Sequence, residues 1–182
     1  MSKIESGKLD LNLARTSLPE LIEGSLLLVQ PNIEQKHLHL TVDLQHIKHK
    51  QAKCDALRLQ QILVNILSNA CKYTPDGGSI HFCAAELPAS RPGHGQYRLL
   101  CRDTGIGMSE DFQKHLFEPF ARADDTRTSR QSGTGLGMAI AYNLVRMMGG
   151  TITCESKLGA GTAFTVTLTL ELADGAVEPA AV

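Results

Sequence analysis

The chain has 182 residues, 42% of them hydrophobic, which suits one globular domain with a sizeable core. Its 18 basic and 19 acidic side chains give a formal net charge of -1, and no basic run or basic-aromatic face marks a nucleic-acid surface. No apolar run reaches transmembrane length, and the N-terminus has no signal-peptide pattern. Five scattered cysteines (Cys54, Cys71, Cys83, Cys101 and Cys154) with no C-x-x-C pair point to reduced thiols in cytoplasm, not to a disulfide frame or a zinc site. With no Trp and only 4% aromatic residues, the core must be mostly aliphatic.

In chain order, residues 9 to 13 (Leu-Asp-Leu-Asn-Leu) alternate with period two and predict a strand. Ser17-Leu-Pro-Glu20 is a capping-box pattern with Pro in the first turn. It opens a helix through Leu21, Ile22, Leu26, Leu27 and Val29. His37 to Leu44 alternates again, predicting a second strand on which His37 and His39 share a face. Asp55 can cap a helix running to about Lys72, stopped by the breaker cluster Thr74-Pro-Asp-Gly-Gly78. Ser79 to Glu86 and Gln96 to Arg102 predict two strands, with an exposed loop from Pro88 to Gly95. A short helix is expected from Ser109, and the polar stretch from Ala121 to Ser132 reads as a mobile segment. Gly133-Thr-Gly-Leu-Gly137 feeds a helix carrying Ile140, Leu144, Val145 and Met148, which Gly149-Gly150 ends. Thr151 to Glu155 and Ala163 to Leu172 predict closing strands, and residues 173 to 182 a frayed tail or linker.

Four stretches carry chemistry. On the helix from Asp55, residues Leu59, Ile62, Leu63, Ile66, Leu67 and Ala70 form an apolar stripe, while Gln61, Asn65, Asn69 and Lys72 line up on another side. A merely solvated face would favour Glu, Lys and Arg, because Asn is a poor helix former. An amide oxygen can ligate Mg²⁺ without adding charge, and Lys72 can meet phosphate as a point charge. Asp103-Thr-Gly-Ile-Gly107 puts a carboxylate at a strand end, able to accept from an exocyclic amine, with glycines that permit close approach; an ordinary tight turn explains it equally well. Gly133-Thr-Gly-Leu-Gly137 at a helix start is an anion site or a close-packing device. It matches neither the dinucleotide fingerprint nor a P-loop. Arg122, Arg127 and Arg130 just before it are solvated charges or a source of one phosphate-binding Arg. The seven histidines have no Cys or carboxylate at ligand spacing and read as surface residues.

Taken together, these motifs resemble the ATP-binding domain shared by histidine kinases, gyrase-type topoisomerases, heat-shock chaperone ATPases and mismatch-repair ATPases. Gln61-Ile-Leu-Val-Asn65-Ile-Leu-Ser-Asn69-Ala-Cys-Lys72-Tyr73 looks like the N box and Asp103-Thr-Gly-Ile-Gly-Met108 the G1 box. Phe117-Glu-Pro-Phe120 looks like the F box of the histidine-kinase branch. Gly133-Thr-Gly-Leu-Gly-Met138 looks like the G2 box and Gly159-Ala-Gly-Thr162 the G3 box. The likeness covers about residues 10 to 172, and five boxes in order are far more specific than any one.

The resemblance implies an α+β, two-layer α/β sandwich of the Bergerat type, with a mixed sheet of about five strands under about three helices. It implies that Asn69 ligates Mg²⁺, that Asn65 and Lys72 lie near the phosphates of ATP, and that Tyr73 stacks on adenine. Asp103 would bond the adenine N6 amine, Gly105 and Gly107 would leave room for the base, and Thr162 would border its pocket. Segment 109–134 would be a lid, with Gly133, Thr134, Gly135, Leu136 and Gly137 at the phosphates and Arg122 reaching the γ-phosphate. Residues 1–8 resemble the end of a dimerisation helix and its linker, 9–172 the catalytic domain, and 173–182 a tail.

The expected activity is protein-histidine kinase, transferring the γ-phosphoryl group to a histidine on a dimerisation helix, since no phosphoacceptor pattern occurs in the chain. The fragment is then unable to autophosphorylate, monomeric and cytoplasmic, from a parent protein open to anchoring in the inner membrane. The partners implied are that parent's own dimerisation domain and a response regulator. Hydrolysing relatives place a Glu where this chain has Gln61, and an amide cannot act as a general base. The alternatives are a gyrase- or chaperone-type ATPase, which Gln61 disfavours, a non-catalytic nucleotide-binding module, and the anti-sigma serine kinase branch, whose lid lacks an F box.

Overall fold

A computed structural model of the protein describes residues 10–121 and 134–173. Strands β1 (Ala14–Ser17), β2 (His39–His46), β3 (Gln51–Cys54), β4 (Ser79–Leu87), β5 (His94–Asp103), β6 (Thr151–Lys157) and β7 (Gly161–Leu172) form one sheet. Its order is β1-β3-β7-β5-β4-β2, with β6 also pairing β7. Helices α1 (Leu18–Gln35), α2 (Ala56–Tyr73) and α4 (Gly137–Met147), with the short α3 (Glu110–His115), complete the described chain. The two-layer mixed arrangement agrees with expectation, although the strand count is seven rather than about five. Only β2 and β4 run parallel, and α2 lies in the long connection that parallel pairing requires.

The sequence explains α2 well. Asp55 caps it, its Oδ1 accepting from Arg58 N at 3.1 Å, and Pro75 forces Thr74 into an extended conformation that ends it. Leu59, Ile62, Leu63, Ile66, Leu67 and Ala70 are all buried. They pack over Ile80, Phe82, Tyr97, Val166 and Leu168 of the sheet, in one continuous core. Each large side chain fully buried there contributes roughly 1.5–3 kcal/mol. On the other face of β5, Arg98 and Arg102 stay exposed, so the described helices cover one side.

Three expectations fail locally. Of the strand expected over residues 9 to 13, the described residues 10 to 13 are not in a strand, and the first described strand is Ala14–Ser17. The Asn12 amide donates to Asp55 Oδ2 at 3.0 Å instead of entering a ladder, and Leu13 is exposed. Ser17 is the N-cap of α1 with Pro in the first turn, but its side chain makes no capping bond. His37 is not in β2. It takes the left-handed conformation (φ 51°) just after α1, where His37 N donates to Glu34 O at 3.1 Å and Leu38 N to Ile33 O at 2.9 Å. That is a Schellman stop with His where Gly is usual. β3 has no counterpart in the sequence reading. The expected tail beyond Ala173, the 1–8 linker and the stretch from Arg122 to Gly133 lie outside the described residues.

Candidate functional site

Turns from separate parts of the chain meet at the C-terminal half of α2. Ile106 N donates to Tyr73 O at 3.1 Å, joining the loop after β5 to the end of α2. A Cβ on Gly105 would lie 2.7 Å from that same carbonyl. Gly107 (φ 67°) packs on the β6–β7 turn so closely that a Cβ would lie 1.9 Å from Lys157 O. At both glycines the point a Cβ would reach is occupied by the protein's own backbone. Phe120, in the left-handed region at φ 63°, donates its amide to Gly135 O at 3.0 Å. At the start of α4, a Cβ on Gly137 would lie 3.5 Å from Asn65 Oδ1. Phe117 stacks on Tyr142 of α4, centroids 5.0 Å apart.

Asp103 is the buried charge of this region, 6% exposed. Its Oδ1 accepts from Gly105 N at 2.8 Å and from Thr162 N at 3.2 Å. Among the described residues Oδ2 accepts nothing. Burial raises the carboxyl above its ordinary value, and the two backbone N–H groups pull it part of the way back. A strand-end carboxylate with one oxygen committed and one free is suited to receive an outside N–H donor.

Ser156 of β6 ties the surrounding turns together. Its hydroxyl accepts from Met108 N at 2.9 Å, donates to Gly161 O at 2.9 Å and lies 2.9 Å from Thr162 Oγ1. Its carbonyl accepts from Gln113 Nε2 of α3 at 3.0 Å. Neither Ser156 nor Gln113 stands out in the sequence; their partners are up to 48 residues away.

On α2, Asn65, Asn69 and Lys72 are half-buried, and Asn65 Nδ2 is buried with no partner among the described residues. An unpaired buried amide costs roughly 1–3 kcal/mol, so this donor is in want of an acceptor. The Lys72 ammonium sits 4.9 Å from the Tyr73 ring centroid, a cation–π contact. Lys36, unremarked in the sequence, clamps the end of α2: Nζ donates to Cys71 O at 2.8 Å, to Lys72 O at 3.1 Å and to Thr74 O. A cation there satisfies orphan carbonyls and opposes the helix dipole.

Asp103, Gly105, Gly107, Tyr73 and Thr162 are thus assembled at one end, and Asn65 and Gly137 at the other. Thr134, Gly135 and Leu136 lead into α4, whose first amides are free of intrahelical partners by construction. Arg122, Arg127, Arg130 and Gly133 lie outside the described residues. All five cysteines are unpaired; burial pushes the Cys154 thiol up to about 12, and raises Cys54, Cys71 and Cys101 as well. Among the described residues no group of three or more His, Cys, Asp or Glu is placed to hold a metal.

The model of the family described as histidine kinase-, DNA gyrase B- and HSP90-like ATPase matches residues 54–172. Sensor protein GacS of Pseudomonas syringae pv. syringae is 37% identical over 169 residues, covering 93% of this chain and 18% of GacS. Virulence sensor protein BvgS of Bordetella bronchiseptica is 35% identical over 175 residues, covering 96% of this chain and 14% of BvgS. The chain therefore spans less than a fifth of either relative. The crystal structure of full-length ShkA in complex with AMPPNP superposes with a TM-score of 0.74 at 28% identity, covering 91% of this chain and 32% of ShkA. The catalytic domain of histidine kinase ThkA gives 0.71 at 22% identity, covering 86% of this chain and 95% of that domain, a likeness of fold.

Proposed function

Because this chain belongs to the family of histidine kinase-, DNA gyrase B- and HSP90-like ATPases, we propose that it is the ATP-binding kinase domain of a sensor histidine kinase. In this reading it presents the γ-phosphoryl group of Mg-ATP to a histidine on a dimerisation helix outside these 182 residues. The observation that carries it is the buried Asp103, with Oδ1 bonded to the protein and Oδ2 open, beside the end of α2. Oδ2 accepts from the adenine N6 amine. Tyr73 stacks on the ring, and Gly105, Gly107 and Thr162 shape its surroundings.

At the phosphate end, Asn65 and Lys72 donate to phosphate oxygens, together with the amides of Gly133, Thr134, Gly135, Leu136 and Gly137. The unpartnered Nδ2 of Asn65, whose Oδ1 faces Gly137, supports that assignment. Asn69 offers an uncharged oxygen ligand to Mg²⁺, which when bound neutralises phosphate charge. Arg122 supplies a further positive charge toward the γ-phosphate. Phosphoryl transfer asks mainly for positioning and charge neutralisation, and these side chains provide both.

Hydrolysis would require a base to activate water, and the helix offers Gln61 instead, its Oε1 3.5 Å from Arg58 Nη1. An amide does not take up that proton. The dimerisation domain, a response regulator, and a cytoplasmic location with a membrane-anchored parent belong to the same proposal. Among the described residues no helix is long and apolar enough to cross a membrane.

Two measurements test this reading. Nucleotide titration should show Mg²⁺-dependent ATP binding that Asn69→Ala abolishes; ATP binding indifferent to both would remove the metal role. Incubation with γ-labelled ATP should leave the chain unlabelled and release little phosphate. Rapid steady phosphate release would instead make it a hydrolase.

A further inference from the structure

The end of α2 leaves the carbonyls of Cys71, Lys72, Tyr73 and Thr74 without partners inside the helix. They are shared out unequally. Lys36 Nζ, reaching across from the residue after α1, takes Cys71 O at 2.8 Å, Lys72 O at 3.1 Å and Thr74 O. An ammonium carries three protons, so its donor capacity is used in full. Tyr73 O is left out of this set and accepts instead from Ile106 N at 3.1 Å, in the loop that carries Asp103. The same carbonyl backs Gly105 so closely that a Cβ there would lie 2.7 Å away. Lys36 is itself held in place: its carbonyl accepts from Gly77 N at 2.8 Å, and its amide donates to Asn32 O at 3.2 Å. One cation therefore grips the backbone on both sides of Tyr73 and leaves the Tyr73 carbonyl to the Asp103 loop.

We infer that Lys36 is a positioning residue for base recognition: by gathering the carbonyls that flank Tyr73, it holds the Tyr73 ring and the Asp103 carboxylate at one fixed spacing. This rests on the reading of Asp103 as the acceptor for the adenine N6 amine. Lys36 needs no contact with the nucleotide; it acts through the backbone of α2. Without the cation three carbonyls lose their donor and the last turn frays. The bond that joins Tyr73 to the Asp103 loop then has no fixed end. Asn65, at the phosphate end, lies roughly two turns further back in the helix and is not touched by that change. The loss should fall on the base more than on the triphosphate.

The probe is a pair of nucleotides that differ at the group facing Asp103: ATP, which carries an amine there, and ITP, which carries a carbonyl oxygen. The wild-type chain should bind ATP roughly thirtyfold more tightly, the usual worth of a hydrogen bond to a charged group. Lys36→Ala should cut that ratio by about threefold or more, because a hydrogen bond weakens steeply once its geometry opens. Propylammonium ion supplies the atoms that Lys36→Ala removes and should restore the ratio; 1-propanol, similar in size but uncharged, should not. A merely weakened fold lowers affinity for both nucleotides alike, and that result overturns the inference. So does a ratio that survives Lys36→Ala, or propylammonium that does no better than 1-propanol. If Lys36→Ala does not fold, Lys36→Arg keeps a cation at the helix end, but its planar fork cannot bring one nitrogen to three carbonyls. The ratio should fall there too, and an unchanged ratio in Lys36→Arg refutes the inference. Failure of the underlying reading looks different: the wild-type chain would itself show a ratio of about one, and Asp103→Asn would leave ATP affinity untouched.

Discussion

The two ends of the site differ in how much of their bonding the folded chain completes by itself. At the Asp103 end, backbone and side-chain hydrogen bonds join the loop after β5, the β6–β7 turn and the end of α2. At the α2–α4 end, Asn65 Nδ2 is buried without a partner, and Lys72 rests on its neighbour Tyr73. The first end is organised before any ligand arrives, and folding has already covered the cost of ordering it. The second holds a buried donor with no partner among the described residues, which an acceptor on a ligand would satisfy. On the proposed reading, recognition of the base is a property of the fold, while the grip on phosphate is a property of the complex.

Substitutions can break this contrast, and the largest effect is expected at the organised end. Gly107→Ala puts a Cβ 1.9 Å from Lys157 O at a positive φ. The cost should be about 3 kcal/mol or more, from the left-handed backbone and the displaced turn together. Thermal or denaturant unfolding measures it, and a variant as stable as wild type would mean that the turn is soft after all.

Asp103→Asn comes next. Asn can still accept from Gly105 N and Thr162 N but turns a donor toward the ligand. Loss of one charged hydrogen bond should lower ATP affinity by roughly thirtyfold, without lowering the stability of the unliganded chain. The pH dependence has a definite sign. Burial holds the Asp103 carboxyl above its ordinary value, so protonation favours the unliganded fold. That contribution is complete below the ordinary carboxylate range and fades as pH rises through the folded-state value. With Asp103 as the proposed adenine acceptor, ATP binding requires the ionised form and should weaken on acidification earlier than for an ordinary aspartate. Titrations of wild type and Asp103→Asn across mildly acidic pH would show a slope in the first and none from this group in the second.

At the unfinished end, Asn65→Ala should separate stability from binding. It removes an unsatisfied buried amide and introduces a better helix former, so the unliganded chain should gain about 1 kcal/mol. Mg-ATP affinity should fall at the same time. A loss of stability would show that Asn65 is already satisfied. The smallest effect belongs to a site remote from this contrast: His37→Gly relieves a left-handed residue at the stop of α1 and should stabilise by roughly 0.5–1 kcal/mol. Its ATP affinity should not change.

The features legible in the sequence were those whose cause is local. The α2 stripe, the Asp55 cap and the Thr74-Pro75 stop are read from neighbours in sequence, and they stand. The β4 and β5 strands were read from short runs bounded by turn residues, and only their ends shifted. What escaped depends on distant partners. β3 is four residues long and is defined by pairing with β1 and β7. Lys36 is a surface-type residue until its ammonium meets three carbonyls from the end of α2. Ser156 belongs to an unexceptional strand whose hydroxyl gains meaning only from Met108 and Thr162. Alternation misled at residues 10–13 because Leu13 faces solvent and Asn12 is bonded to Asp55.

The order of the strands at one margin of the sheet has a consequence for how such a module joins a larger protein. β1 pairs with β3, and β3 with the final residues of β7. The entering and leaving strands are therefore separated by a single strand, about 10 Å by ordinary ladder spacing. A host chain could detour into this domain and return to nearly the same point, with little displacement of whatever lies on either side. A short linker from residue 173 back to residue 10, with new termini cut in the exposed Pro88–Pro92 loop, should give a circular permutant that folds and keeps its nucleotide preference.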